Sequence, residues 1–275
     1  MVADWILAQV QAALAEDVGS GDLTAGLIPA GNTLETVVIS RQAGVLAGCD
    51  WFNASFSLTD PDIRIEWQCR EGDQITASQE LCLLSGPARG LLTAERTGLN
   101  FLQLLSGTAT LTARYVDAIR GTGARLLDTR KTVPGLRLAQ KHAVRIGGGH
   151  NHRIGLFDAI LIKENHIAAA GGIAAAVELA RRQHPGYPVE IEVEDLAQLE
   201  QAAGAGADRV MLDNFSLADL SSAVASCKGQ IELEASGGIT LDGIRAVAET
   251  GVDFISVGEL TKRVEPLDLS MRFRD

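Results

Sequence analysis

The sequence is poor in cysteine, in aromatic residues and in long hydrophobic runs. Of its 275 residues, four are cysteines and 4% are aromatic. The cysteines (Cys49, Cys69, Cys82 and Cys227) follow no CxxC or other metal-ligand spacing, so we expect reduced, partly buried thiols instead of a zinc site or a disulfide framework. No hydrophobic run approaches the ~18 residues that a membrane-spanning helix requires, so we expect no membrane partner.

Basic residues are also scarce overall. The chain has 24 lysines and arginines against 35 aspartates and glutamates, a net charge of −11, which argues against nucleic acid as a partner. The N-terminal sequence MVADWILAQVQAALAEDVG lacks the basic region of a signal peptide and is typical of an amphipathic helix. With 46% hydrophobic and 21% charged residues, these features predict a soluble, cytoplasmic protein of one large or two modest domains.

One segment, from Arg125 to Lys163, is enriched in basic residues. This segment contains eight basic and two acidic residues, a net charge of +6, so the rest of the chain carries −17. This local excess of positive charge in an acidic chain predicts a binding site for an anion with several negative charges.

Short apolar runs recur along the chain, and their spacing differs between its two parts. The first hundred or so residues combine an opening helix with short strand-like runs, which predicts an α/β sandwich. A helix is predicted from about 90 to 119. Beyond it, runs such as VEIEVE, RVMLDN and IELEAS recur roughly every 20 to 22 residues between alanine-rich helices, which is typical of a parallel sheet. We expect an open or incomplete TIM-like α/β barrel, because fewer than eight strand–helix pairs are present; an open doubly wound sheet is the alternative.

Polar residues follow successive predicted strands at the point where each strand ends. In a TIM-like barrel these ends form one rim, which is where active sites are built, so residues far apart in sequence converge there. The residues at these positions are Arg130, Lys131, Lys163, Glu192, Glu194, Asp213, Ser236, Gly237, Gly238, Gly258 and Glu259.

The strand EIEVE carries three carboxylates on one face. Period-two alternation places Glu190, Glu192 and Glu194 together, which is costly in a buried parallel strand unless they are paired or bind a metal. One interpretation is a solvated edge strand with its glutamates turned outward. The other is that Glu192 and Asp213 face the rim and bind ribose hydroxyls or Mg²⁺, which proteins hold with one or two carboxylates plus substrate phosphates.

Glycines end the last two predicted strands, in EASGGIT and ISVGELT. At such positions backbone N–H groups can approach a phosphate, and phosphate sites after the final two strands recur in TIM barrels.

Histidines at 150, 152 and 166 allow a metal site as an alternative. The neighbouring Arg153 and Lys163 oppose a bound cation, so we favour hydrogen bonding of these histidines to an anionic carboxylate.

Long motifs spread over nearly the full chain resemble those of one known family. They are DTRKT-PGLR, GGGHNHR, LIK-NHI, EDVGSGDLT (16–24), ERTGLNFLQLLSGTAT (95–110), EIEVE (190–194), LDNF (212–215), EASGGIT (234–240) and ISVGELT (255–261). In this order and spacing the chain resembles quinolinate phosphoribosyltransferase, the decarboxylating nicotinate-nucleotide pyrophosphorylase of NAD biosynthesis. The resemblance implies that quinolinate and phosphoribosyl pyrophosphate are converted to nicotinate mononucleotide, pyrophosphate and CO₂.

The resemblance also implies roles for individual residues. Catalytic roles fall on Lys131, Lys163, Glu192 and Asp213. Quinolinate is expected on Arg96, Thr129, Arg130, Lys131, His152, Arg153 and Lys163, and phosphoribosyl pyrophosphate on Glu192, Asp213, Ser236, Gly237, Gly238, Val257, Gly258 and Glu259. The expected cofactor is Mg²⁺, held through the substrate pyrophosphate with Glu192 and Asp213 as candidate protein ligands. A homodimer is expected in which Arg96 reaches the partner's site, and a smaller residue is commoner in the family where Glu259 stands.

Two domains follow from the same likeness and the strand spacing. We expect an N-terminal α/β sandwich over 1–107, with the tail 264–275 returning to it, and a TIM-like catalytic barrel over 108–263. Three alternatives stay open for function: a related phosphoribosyltransferase that acts on nicotinate, a family-like paralogue attached to a different pathway, and a non-catalytic, anion-binding barrel protein. The dense cationic cluster favours quinolinate over nicotinate, and the TRK and HNHR groups that a paralogue would disturb are intact. An anion-binding protein would not need Glu192 and Asp213 together with the glycine turns.

Overall fold

The computed structural model describes residues 2–227, 229–263 and 265–274, which form two compact units. The first unit comprises 1–113, 133–148 and 263–275, and the second comprises 114–132 and 149–262. Residues 108–113 and 133–148 thus belong to the first unit, although the sequence boundary at 107 assigns them to the barrel.

Helices and strands alternate along most of the chain. The helices are α1 (Asp4–Val18), α2 (Cys49–Thr59), α3 (Ala88–Ala118), α4 (Arg137–Ile146), α5 (Glu164–Ala170), α6 (Ile173–Gln183), α7 (Leu196–Gly204), α8 (Leu217–Cys227), α9 (Ile244–Glu249) and α10 (Glu259–Lys262). The strands are β1 (Thr33–Ser40), β2 (Gly44–Val45), β3 (Arg64–Trp67), β4 (Gln74–Ile75), β5 (Glu80–Pro87), β6 (Arg125–Leu127), β7 (Ile160–Ile162), β8 (Val189–Val193), β9 (Arg209–Asp213), β10 (Glu232–Ser236), β11 (Phe254–Ser256) and β12 (Leu269–Phe273).

The first unit is built on an antiparallel sheet with the strand order β12-β1-β5-β3. Val38 of β1 and Leu84 of β5 are buried against Phe52 and Phe56 of α2 and Leu102 of α3. Helices therefore cover the apolar face of the sheet, as in the α/β sandwich that the sequence predicts.

Glu71 joins two helices of the first unit. Its carboxylate accepts hydrogen bonds from the backbone N–H groups of Gly48 and Cys49 at 2.8 and 2.9 Å, at the start of α2. It also lies 3.0 Å from Nε2 of His142 on α4. An acidic side chain at this end of a helix satisfies free N–H groups and favours the helix dipole.

The second unit is a six-stranded parallel sheet with the order β6-β11-β10-β9-β8-β7. Its last five strands lie in sequence order, and β6 lies beside β11, which is the neighbour relation of a barrel and not of a doubly wound sheet. The predicted α/β class with an incomplete TIM-like barrel is therefore confirmed. Val189, Ile191 and Val193 are fully buried on one face of β8.

Two further sequence expectations concern membranes and thiols. In the part of the chain that the structure describes, no helix combines the length and the apolar character needed to cross a membrane. All four cysteines are free thiols, and Cys69, Cys82 and Cys227 are buried.

Candidate active site

A cavity of about 450 Å³ opens at the carboxyl ends of the strands in the second unit. Its walls come from six strands and the loops that follow them. The lining residues are Thr129, Arg130, Lys131, His152, Arg153, Leu161, Lys163, Glu192, Met211, Asp213, Glu234, Ser236 and Ser256. The structure thus brings together four of the eight basic residues of the segment 125–163 and the two carboxylates that the sequence places at the rim.

Strand register explains why these side chains share one cavity. In the parallel sheet, Glu192 pairs with Met211, and Ser236 pairs with Asp213. Paired residues point to the same face, so alternate positions of β8, β9 and β10 all face the cavity. The solvated edge interpretation of EIEVE is wrong, because Glu190 is 7% exposed and the Glu192 side chain 13%. Glu194 lies beyond the end of β8 and is exposed.

Lys163 and Glu192 form an ion pair in the cavity wall. The Lys163 ammonium group donates to Oε2 of Glu192, and the lysine side chain remains 42% exposed. The backbone N–H of Lys163 donates to Nδ1 of His166 at 3.0 Å, which fixes that histidine on the first turn of α5. The pair leaves the ammonium group accessible to an anion in the cavity.

The segment after β6 carries Thr129, Arg130 and Lys131. The backbone N–H of Lys131 donates to Oγ1 of Thr129 at 3.0 Å, and the Thr261 hydroxyl donates to the Lys131 carbonyl at 2.8 Å. A Cβ atom on Gly258 would lie 3.1 Å from Cδ of Lys131, so the glycine permits this close approach. Gly258 therefore adjoins the lysine although it does not line the cavity.

Gly237 and Gly238 form a turn directly after Ser236. Gly237 has a φ of +97°, and a Cβ atom there would lie 2.2 Å from Oδ1 of Asn214. Gly238 has a φ of +58° with open space around its Cα atom. The Asn214 side chain also donates to Oδ2 of Asp213 at 2.8 Å, so the turn and the Asp213 carboxylate are held together.

The two acidic residues of the basic segment hold its loop in place. Asp128, which is fully buried, accepts from the backbone N–H of His152 at 2.9 Å and from the Asn151 side chain at 2.6 Å. Asp158 accepts from the backbone N–H groups of Ile154 and Gly155 at 2.7 and 2.9 Å. The loop that presents Arg153 is therefore fixed by hydrogen bonds on both sides.

His152 is buried between its own loop and two glutamates. Its Nδ1 atom accepts from the backbone N–H of Arg153 at 2.7 Å, while Nε2 lies 2.8 Å from Glu190 and 3.6 Å from Glu234. Burial lowers the pKa of His152, but the hydrogen bond to Glu190 and the charge of Glu234 outweigh it, so the pKa lies above its ordinary value. Both ring nitrogens of the histidine thus face polar atoms of the protein.

Cations are crowded at this end of the cavity. Burial and the neighbouring charge of Arg130 lower the pKa of Arg153, against the opposing charges of Glu190 and Asp158. Such crowding disfavours the charged guanidinium and is relieved when an anion binds between the two arginines.

Sequence reasoning missed Glu234 as a cavity residue. Its signal was available, because Glu234 lies two positions before Ser236 on β10 and so shares its face. The three-histidine metal site does not assemble: in the described residues the only cluster of possible metal ligands consists of His152, Glu190 and Glu234. His150 and His166 are exposed.

Six predicted site residues are not part of the cavity lining: the glycines Gly237, Gly238 and Gly258 described above, and Arg96, Val257 and Glu259. Arg96 is exposed on α3 in the first unit, and no hydrogen bond or ion pair joins it to another described residue. Val257 is buried and donates its N–H to the Leu127 carbonyl at 3.0 Å. The Glu259 carboxylate accepts from the Tyr115 hydroxyl at 2.6 Å, which gives that side chain a structural contact.

Similar proteins and structures match nearly the whole chain. Residues 22–106 match the family "Quinolinate phosphoribosyl transferase, N-terminal domain", and residues 108–272 match "Quinolinate phosphoribosyl transferase, C-terminal domain". The probable nicotinate-nucleotide pyrophosphorylase [carboxylating] of Bacillus subtilis is 43% identical over 258 residues, covering 93% of this chain and 89% of that protein. The Mycobacterium leprae enzyme is 40% identical over 272 residues, 95% of each chain. The solved structure of the Francisella tularensis nicotinate-nucleotide pyrophosphorylase superposes with a TM-score of 0.96 at 49% identity, over 98% of this chain and 96% of that one.

Proposed function

The chain belongs to the quinolinate phosphoribosyltransferase family, and on that premise we propose that it is a decarboxylating nicotinate-nucleotide pyrophosphorylase. It transfers a phosphoribosyl group to quinolinate and releases pyrophosphate and CO₂, which makes nicotinate mononucleotide for NAD biosynthesis. One observation supports this function above the others: four basic side chains line a single cavity of about 450 Å³ together with the rim carboxylates of Glu192 and Asp213. Only a substrate pair that combines anions with sugar hydroxyls uses both sets.

Quinolinate, a planar dicarboxylate, is assigned to the basic side of the cavity. Arg130 and Arg153 have the planar, forked donors that match carboxylates, and Lys163 adds a mobile ammonium group. Thr129 lies beside them. His152 holds the Arg153 backbone at 2.7 Å, so we assign it to orienting the arginine as well as to the wall of the quinolinate site.

Phosphoribosyl pyrophosphate is assigned to the opposite side. Its 5′-phosphate lies in this proposal on Ser236 and the glycine turn 237–238, with Val257, Gly258 and Glu259 contributing backbone at the neighbouring strand end. Its ribose hydroxyls bind Glu192 and Asp213, and its pyrophosphate lies near Lys131. The two substrates then meet above the middle of the sheet.

The donor set fits Mg²⁺ bound together with the substrate. Glu192 and Asp213 offer carboxylate oxygens at the same rim, which is the chemistry that Mg²⁺ prefers when phosphates supply its other ligands. Bound in this way, the ion would neutralise the leaving pyrophosphate. The ion pair of Lys163 with Glu192 leaves Asp213 as the carboxylate without a lysine partner among the described residues.

Ribosyl transfer needs no covalent nucleophile in this proposal. The bond from ribose C1 to pyrophosphate breaks while the pyridine nitrogen forms a bond to C1, and positive charge develops on the ribose. Glu192 and Asp213 stabilise that charge, and Lys131 stabilises the negative charge on the departing pyrophosphate. The protein contributes position and electrostatics.

Decarboxylation uses the cationic pyridine ring as the electron sink. The bond between ring carbon C2 and its carboxylate breaks, CO₂ leaves, and the electron pair left on C2 takes up a proton. Arg153 and Lys163 hold the substrate carboxylates so that the one at C2 is twisted or desolvated as it departs. Lys163 is therefore assigned a catalytic role.

We further propose that the active enzyme is a homodimer with composite sites. The support is Arg96, which is exposed on α3 in the first unit without a described partner, at a position where the family resemblance implies contact with the other subunit's substrate. The four free thiols fit a reducing compartment, so we place the enzyme in the cytoplasm.

A coupled assay tests the proposal. Purified protein is incubated with quinolinate, phosphoribosyl pyrophosphate and Mg²⁺, and nicotinate mononucleotide and CO₂ are measured together, with nicotinate as the parallel substrate. We expect equal amounts of both products from quinolinate and none from nicotinate. Turnover of nicotinate would indicate the related single-carboxylate enzyme, and binding of quinolinate without turnover would indicate an anion-binding protein.

A further inference from the structure

Two buried carboxylates lie side by side at the floor of the second unit's cavity, and Glu234 is one of the residues that line it. Glu190 of β8 is 7% exposed and Glu234 of β10 is fully buried. One oxygen of each carboxylate and a ring nitrogen of His152 lie within 4.8 Å of one another. The proposed reaction assigns no role to either glutamate.

Both carboxylates are incompletely satisfied. Oε1 of Glu190 and Oε1 of Glu234 are inaccessible to solvent and have no hydrogen-bond partner among the described residues. Two ionised carboxylates this close, away from water, repel each other strongly, and a buried oxygen without a donor is costly. A single proton bound by the pair removes the repulsion, as in other enzyme sites with two adjacent carboxylic acids.

The surrounding charges decide which glutamate carries that proton. Arg209 of β9 lies 3.4 Å from Glu234, but it donates at 2.8 Å to Glu232 and its guanidinium also stacks 3.7 Å from the Phe254 ring centroid. Nε2 of His152 is 2.8 Å from Glu190 and 3.6 Å from Glu234. Glu190 has the better partner for a negative charge, and the fully buried Glu234 has the poorer one.

A bound metal ion explains the cluster less well than a proton does. One histidine and two glutamates are suitable ligands for a divalent cation. However, the Arg209 guanidinium lies next to Glu234, and the charge of Arg153 interacts with Glu190, so an added cation would meet positive charge on two sides. A proton satisfies an orphan oxygen and adds no second cationic centre.

We propose that Glu234 is a positioning residue that stays protonated at the floor of the cavity, so that the Glu190 carboxylate is left to His152 and the anion site gains no further negative charge. The chain of contacts continues from His152 to the Arg153 backbone, which presents the arginine assigned to quinolinate. The inference rests on the proposed function, because it concerns the affinity for that dicarboxylate.

The environment of Glu234 sets the direction of the effect. Burial, followed by the charge of Glu190, raises the pKa of Glu234 to about 8, against the charges of His152 and Arg209 and the effect of the nearby Ser256 hydroxyl of β11. Glu234 is therefore neutral below about pH 8 and ionised above it. Ionisation places a new negative charge under a site for a dianion, so the KM for quinolinate should rise about tenfold toward about pH 9.

The test compares KM for quinolinate at about pH 7 and about pH 9 in the unmodified enzyme, Glu234→Gln and Glu190→Gln. We expect the alkaline rise in the unmodified enzyme and its absence in Glu234→Gln, whose amide cannot ionise. Lysines that titrate at high pH do so in both proteins and cancel in the comparison. Glu190→Gln should instead raise KM already at about pH 7, because His152 loses its charged partner. An alkaline rise of equal size in Glu234→Gln would overturn the proposal.

Two measurements without turnover separate this inference from the proposed function. The infrared spectrum of the unmodified protein should contain a protonated carboxyl band at about pH 7 that disappears by about pH 9 and is missing in Glu234→Gln. Absence of that band, or a stoichiometric metal ion that is lost on Glu234→Gln substitution, would contradict the proton assignment. Failure of quinolinate turnover with the band present would refute only the proposed function.

Discussion

Two glutamate–histidine pairs in this protein have opposite characters, one half-buried and one buried. Glu71 in the first unit lies 3.0 Å from His142, and its two oxygens also accept backbone N–H groups at the start of α2. Glu190 in the second unit lies 2.8 Å from His152, but one of its oxygens lacks a partner and a second carboxylate lies alongside. The first pair is fully satisfied and holds helices together, whereas the second retains unsatisfied groups next to a cavity. Unsatisfied buried groups are expensive, so their location indicates where the fold gives up stability for chemistry.

The largest expected effect on catalysis comes from a substitution in the second unit, at Lys163. Lys163→Ala removes the ammonium group from the anion cavity, and we expect kcat/KM to fall about 100- to 1,000-fold, since preorganised charges contribute this much to catalysis. Its side chain is 42% exposed, so the midpoint of thermal unfolding should hardly change. Arg182→Ala on the exposed side of α6 is the charge-matched control for steady-state kinetics. A Lys163→Ala enzyme that keeps most of its turnover would rule out the catalytic role.

Substitutions in the glycine turn test the proposed phosphate site of the second unit. Gly237→Ala would place a methyl group 2.2 Å from the Asn214 amide oxygen at a φ of +97°, so the turn must shift. We expect the KM for phosphoribosyl pyrophosphate to rise about tenfold. Gly238→Ala adds only backbone strain, because the space around it is open, and should have the smaller effect. Equal KM values for the two variants would contradict a phosphate contact at Gly237.

In the first unit the expected effect is on stability. Glu71→Gln weakens three hydrogen bonds to a charged acceptor and should lower the free energy of unfolding by about 1–2 kcal/mol, measured by urea denaturation. The kcat of the folded enzyme should stay within about twofold, because Glu71 is not one of the residues that line the cavity. Glu16→Gln, an exposed change on α1, is the matched control.

The smallest expected effect is the acid sensitivity of that same carboxylate. Burial raises the pKa of Glu71, but hydrogen bonds from His142, the Cys49 thiol and two backbone N–H groups outweigh it, so the pKa lies below the ordinary 4.5. A lowered pKa contributes stability above the unfolded value, and that contribution is lost as the pH falls from about 4.5 through the folded pKa. Unfolding midpoints measured across this range should converge for the unmodified protein and Glu71→Gln at the acidic end. A constant difference down to the lowest pH would show that the carboxylate is not responsible.

The sequence predicts the rim of the cavity better than its floor. Glu192 and Asp213 are found from strand alternation, because polar residues at strand ends contrast with apolar neighbours. Glu234 was missed because it alternates with apolar residues on the same face as Glu232, which is exposed, so both glutamates are equally consistent with outward, solvated side chains. The three-histidine alternative failed because spacing along the chain does not show that His166 bonds its own helix start at Lys163.

Contacts between residues far apart in the sequence account for most of the structural features that the sequence did not predict. The fold class and the strand order follow from local patterns, since each strand–helix repeat contains its own signal. By contrast, Glu71 and His142 are 71 positions apart, and nothing in either local sequence indicates their contact. The membership of residues 133–148 in the first unit likewise depends on contacts between residues that are distant in sequence. Such contacts depend on tertiary packing that periodicity does not encode.

The strand order of the first unit also has a consequence for protein synthesis. β12 pairs with β1, yet it follows all six barrel strands in the chain, and Leu267 and Leu269 belong to the first unit's core. While the ribosome is still translating the barrel, β1 has a free edge that can pair with another nascent chain. The unit that begins first is thus completed last, so the period of greatest exposure to aggregation lasts until residues 269–273 have left the ribosome.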